Sequence, residues 1–146
     1  MMREENYNKQ CTMNKQYTMD NKQITNTLKF SSNKIYNLED RTLQFSKEII
    51  RLCYKLPKNI INIKLIDQLV RSAGSVGANY REACETISKK DCAHRMRIAR
   101  KEAKETTYWL NLLREPNSGY KQTIDMLIKE SEELRNILSS IITKIG

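Results

Sequence analysis

The sequence predicts an all-α protein folded as an antiparallel up-down-up-down four-helix bundle, and three observations carry that expectation. Apolar and small residues recur in alternating steps of three and four along four separate stretches, which lines them on one face of a helix. No stretch shows the strict alternation, or the β-branched run bounded by turn residues, that a strand requires. The connections between the four stretches are short, which favours antiparallel neighbours.

At 146 residues, 39% hydrophobic and 29% charged, the chain has the length and composition of one soluble globular domain. Met1 to about Lys34 is rich in Asn, Lys, Gln, Thr and Met, with apolar residues too scattered to sustain either period. It reads as a disordered basic tail over residues 1–34, leaving 35–146 as the bundle domain. Asn37 can cap the first helix, with Glu39 and Asp40 at the positive end of its dipole. The buried stripe there is Thr42, Phe45, Ile49, Leu52 and Leu56, and Pro57 ends the helix. Asn62 reads as the cap of the second helix, whose stripe is Ile66, Leu69, Ala73, Val76, Tyr80, Ala83 and Ile87. Gly74 and Gly77 would each cost that helix roughly 1 kcal/mol relative to alanine, so they predict either a close helix approach or a local break near Gly74-Ser75.

Ser88 and Asp91 have the spacing of a capping box, so a third helix starts there. Its stripe is Cys92, Met96, Ala99, Ala103, Thr106, Leu110 and Leu113, and the cluster Pro116-Asn117-Ser118-Gly119 ends it. A fourth begins near Tyr120, with Ile124, Leu127, Ser131, Leu134, Leu138, Ile141 and Ile145 inward. Ile128, Ile137 and Ile142 widen that face beyond what a single seam needs.

The formal net charge of +9 and a pI of about 9.4 favour polyanions such as nucleic acid through long-range attraction. At roughly 100° per residue, Lys90, His94, Arg97, Lys101, Lys104 and Tyr108 share the outer face of the third helix, opposite its core stripe. Lys and Arg neutralise phosphates and a tyrosine offers a surface for base stacking. Lys90, Arg97, Lys101, Lys104 and Tyr108 are therefore the candidate nucleic-acid contacts. Asp91, Glu102 and Glu105 fall on the adjacent flank with Ile98 and Trp109. Gly74, Ser75 and Ala78, which smooth the second helix, join Trp109 as the candidate oligomer interface. The cysteines Cys11, Cys53, Cys84 and Cys92 have no paired short spacing, and His94 lies two residues from Cys92 on another face. No metal or cofactor is expected, and the cysteines read as small hydrophobes. Glu82 and Glu85, one turn apart, fit surface ion pairing better than acid/base work. No Gly-rich phosphate loop or activated nucleophile is evident, so the expectation is a protein that is not an enzyme. The absence of a membrane-length apolar run and of a secretory signal implies a cytoplasmic protein with no membrane partner.

The run Leu69-Val70-Arg71-Ser72-Ala73-Gly74-Ser75-Val76-Gly77-Ala78-Asn79-Tyr80-Arg81-Glu82-Ala83, followed by Ser88-Lys89-Lys90-Asp91 and Arg100-Lys101-Glu102-Ala103-Lys104-Glu105, resembles the four-helix bundle family of 23S ribosomal RNA intervening-sequence proteins. The likeness extends from about Tyr36 to Ile145 and includes Tyr36-Asn37-Leu38-Glu39-Asp40-Arg41. Gly77 departs from it, since many members carry proline there. The resemblance implies a protomer that assembles into a homopentamer, in a family with no established enzymatic activity. It also implies kinship with the accessory variability proteins of diversity-generating retroelements, which bind nucleic acid and a reverse transcriptase.

Two functions follow as expectations. The first is a non-enzymatic homo-oligomer that binds RNA or single-stranded DNA through the basic face. The second is an adaptor for an acidic partner protein or a reverse transcriptase. Because the tail brings little burial to offset the entropy of ordering it, deleting residues 1–34 is expected to leave the circular-dichroism spectrum and melting midpoint unchanged.

Overall fold

The computed structural model describes residues 37–146, which form four α-helices and no strand. They are α1 (Leu38–Lys55), α2 (Ile60–Glu85), α3 (Lys89–Arg114) and α4 (Lys121–Ile145), with a 3-10 turn at Ser118–Tyr120. The expected tail, residues 1–34, lies outside the described residues.

Capping chemistry sets the helix starts. The Asn37 side chain accepts the Asp40 N–H at 2.9 Å, as expected for an N-cap. The cap of α2 is Asn59, three residues before Asn62, and its Oδ1 accepts the Asn62 N–H at 2.9 Å. The expectation for Asn62 is therefore corrected. Asn62 sits inside the helix and is buried, because its amide exchanges two hydrogen bonds of 2.9 Å with that of Asn117. Local spacing cannot tell a capping asparagine from one whose partner lies in another connection. At the start of α3, Ser88 Oγ accepts the Asp91 N–H at 3.1 Å and bonds Asp91 Oδ2 at 2.6 Å. α2 ends at Glu85, so Ile87 falls beyond the helix and is 81% exposed rather than part of the core stripe.

Contacts between neighbours give the directions. Ser46 Oγ donates to the Ala73 carbonyl at 3.0 Å, and the Thr106 and Ser72 hydroxyl oxygens lie 2.9 Å apart. Ser131 Oγ donates to the Ala103 carbonyl at 2.8 Å, and Arg114 pairs with Asp125 further along the same seam. Thr42 lies against Gly77 and Arg95 pairs with Glu82, so along every seam one residue number rises as the other falls and consecutive helices run antiparallel. α3 packs most extensively, against α2 on one side and α4 on the other, while α1 meets α4 over the shortest stretch.

That shortest seam carries charge. Arg41 Nε is 2.6 Å from Glu130 Oε1 and its Nη2 is 2.7 Å from Glu133 Oε2, with the Glu130 side chain only 4% exposed. Burial opposes the guanidinium charge, but the hydrogen bonds and charges of Glu130, then of Glu133, outweigh it and raise its pKa above the usual arginine value.

α2 runs unbroken through Gly74 and Gly77 for two different reasons. A Cβ at Gly77 would lie 3.0 Å from Thr42 Oγ1 and 3.2 Å from Thr42 Cβ, so this glycine admits α1 at close range. At Gly74 nothing lies within 4 Å of that position. In urea unfolding, Gly74→Ala is expected to stabilise by roughly 0.5–1 kcal/mol through helix propensity. Gly77→Ala should instead lose about 1 kcal/mol or more by overpacking against a buried, hydrogen-bonded threonine.

Candidate nucleic-acid interface

α3 owes its position to small inward residues. Ala99 and Ala103 are fully buried, and Ser72 of α2 and Ser131 of α4 meet α3 from its two sides. This fixes the rotation of the helix, and its opposite face must then point outward. Lys90, His94, Arg97, Lys101, Lys104 and Tyr108 are all exposed, Tyr108 by 57%. From Lys90 to Tyr108 the row extends about 27 Å along one helix, at 1.5 Å per residue.

No carboxylate forms an ion pair with the row, although Glu102 is close enough to feel the Lys101 charge. Among the described residues, the ion pairs involve Arg41, Arg51, Arg95 and Arg114, and none involves Lys90, Arg97, Lys101 or Lys104. The acidic residues lie to one side, where Asp91 is engaged by Ser88 and Glu102 and Glu105 sit close together. Desolvation by burial, then the Glu105 charge, raises the Glu102 pKa above the ordinary glutamate value, opposed by Lys101 and Arg71. Trp109 is half-buried against the core, with Nε1 3.4 Å from Glu105 Oε1. Its ring meets that of Tyr108 edge-on, with centroids 5.0 Å apart and planes at 72°, an arrangement aromatic pairs favour.

Of the four candidate subunit contacts, three lie together on α2 and Trp109 lies on α3. Gly74 and Ala78 are exposed on the outer side of α2 and Ser75 is half-buried beside them. The antiparallel register sets Trp109 near the level of Leu69, more than a turn from Gly74. A different set of apolar side chains is exposed without belonging to any core stripe. Leu43, Ile50 and Tyr54 lie on the outer side of α1 at steps of seven and four, and Ile63 and Val70 are exposed on α2. Their signal was apolar character off the core stripe. Cys53 is half-buried nearby in sequence, and burial pushes its thiol up to about 11, which keeps it protonated and inert.

The fold and the face together define a four-helix bundle carrying an exposed basic row, without ion pairs, on its third helix. The family model described as 23S rRNA-intervening sequence protein matches residues 34–140, and the chain belongs to that family. It is also similar to a crystal structure from Bacteroides thetaiotaomicron VPI-5482, described as a protein with unknown function from the S23 ribosomal protein family. The identity is 32% over 71% of this chain and 96% of that one, with a TM-score of 0.63. No curated protein matches the chain. No helix among the described residues is long and apolar enough to cross a membrane.

Since the row is exposed and unpaired, replacing Arg97, Lys101 and Lys104 together with glutamine is expected to change unfolding free energy by no more than about 0.5 kcal/mol per site. Denaturant titration checks this.

Proposed function

We propose that the protein is a non-enzymatic, homo-oligomeric bundle that binds nucleic acid through the outer face of α3, in the cytoplasm. The observation that carries the reading is the row Lys90, Arg97, Lys101 and Lys104, exposed along one helix and free of ion pairs among the described residues. Such a row gives up little stability, because exposed ion pairs contribute only about 0–1 kcal/mol. Its uncompensated charge instead attracts phosphates and releases their counterions. The net charge of +9 adds long-range attraction. Self-association is supported by the apolar residues left outside the core, Leu43, Ile50 and Tyr54 among them. The family resemblance implies five copies, and repeated basic rows would raise apparent affinity by avidity.

The second reading is an adaptor for an acidic partner or a reverse transcriptase, and the same exposed apolar surface favours it. Filter binding of RNA and of single-stranded DNA at several salt concentrations separates the two. Binding should be measurable at low salt, weakly dependent on sequence, and lost as salt rises, and the Arg97, Lys101 and Lys104 triple glutamine variant should bind more weakly with a flatter salt dependence. No binding by the parent protein at low salt favours the adaptor. Light scattering at micromolar concentration should give a mass above the monomer.

A further inference from the structure

The outer face of α3 is not symmetric. Towards α2 lie Glu102, Glu105 and Asp91, which repel phosphate. Towards α4 the register is fixed by Ser131 Oγ on the Ala103 carbonyl and by the Thr107 and Ser131 hydroxyls 3.0 Å apart. One turn beyond Ser131 on α4 comes Arg135, and one turn before Ala103 and Lys104 on α3 comes Arg100. The antiparallel register therefore places these two half-buried arginines on opposite banks of the α3/α4 seam. Among the described residues neither takes part in an ion pair, and the hydrogen bond of Arg135 is to its neighbour Asn136 at 3.3 Å. Glu132, one turn earlier on α4, is exposed at the Lys104 level and is the carboxylate nearest in sequence on that bank. Neither arginine is held by an ion pair, so an anion lodged in the seam between them can gain from both charges.

Building on the nucleic-acid reading, we propose that the α3/α4 groove is a track for one single strand. Arg100 and Arg135 hold a phosphate between them, Arg97, Lys101 and Lys104 take its neighbours, and Tyr108 stacks a base at the end of the row. The cations recur every three or four residues, a rise of about 4.5–6 Å, along a straight line that an extended strand can follow. A duplex curves away from such a line after a short contact and keeps its bases stacked on each other, which leaves Tyr108 without a partner. Trp109, edge-on against Tyr108, holds the tyrosine ring in place and so reports on what stacks there.

The test uses the full chain and a uridine oligonucleotide of about twenty residues, with a duplex of matched length as the second ligand. Trp109 is the only tryptophan in the protein, so its emission reads the aromatic corner directly. We expect the single strand to change that emission and the duplex to leave it unchanged. Arg100→Gln and Arg135→Gln should each weaken strand binding several-fold and flatten the log–log salt slope by about 0.7, the loss of one phosphate contact on a single strand. Arg135→Lys, which keeps the charge, should retain the slope, with circular dichroism confirming the fold of each variant. Parental affinity and slope in both glutamine variants, a silent Trp109, or equal binding of the duplex would overturn the track while leaving the basic-face reading intact. Failure of the parent to bind any nucleic acid at low salt would remove both.

Discussion

The structure depends on how closely α2 and α4 approach α3. That approach is possible because the facing residues are small: Ala99 and Ala103 on α3, Ser72 on α2, Ser131 on α4, all buried. Small side chains alone would leave little apolar area to bury. The loss is offset in part by hydroxyls that bond across the seams, Thr106 with Ser72, Thr107 with Ser131, and Ser131 with the Ala103 carbonyl. Each such buried bond contributes on the order of 1 kcal/mol when made and costs more than that when a partner is missing. The hydroxyls therefore act chiefly to exclude other registers, since sliding α3 by one turn would strand several of them at once.

The rotation of α3 fixed in this way turns a sequence pattern into a surface. With its small stripe locked inward, its cations have nowhere to go but out, and its carboxylates fall on the α2 side. Helix phase thus separates the row from the carboxylates, while Arg95 and Arg114 on the flanks pair with Glu82 and Asp125. Coulomb attraction between exposed charges about 4 Å apart is of the order of 1 kcal/mol in water, so the fold gives up little by leaving the row unpaired. The same geometry makes one helix present a row of positive charge along its outer face.

α1 is held differently. It meets α2 closely at Gly77 and Thr42, but reaches α4 over a short stretch where Arg41 bridges Glu130 and Glu133. With Glu130 nearly buried, removing Arg41 would leave an uncompensated charge, a loss of about 3–5 kcal/mol for pairs of this kind. At the end of the bundle where α2 begins, the Asn62–Asn117 amide pair joins the start of α2 to the turn after α3. Both clasps are polar and partly or wholly buried. They restrict which helix ends can meet, where an apolar contact would tolerate several arrangements.

The sequence by itself determined the four helices, the inward stripes of α1, α3 and α4, and the outward phase of Lys90, Arg97, Lys101, Lys104 and Tyr108. All of these follow from the helical period and from caps or breakers a few residues away, as at Asn37, Pro57 and Ser88. It also carried the family resemblance. Only the tertiary structure decided that Asn59 caps α2 while Asn62 pairs with Asn117, 55 positions on. It likewise decided that Gly77 is a packing contact and Gly74 open surface, and that Leu43, Ile50 and Tyr54 stay outside the core. The placement of Arg135 across from Arg100 belongs to it as well. Periodicity assigns a residue to a face of its own helix, but what that face meets is set by the register of another helix, which no local spacing encodes.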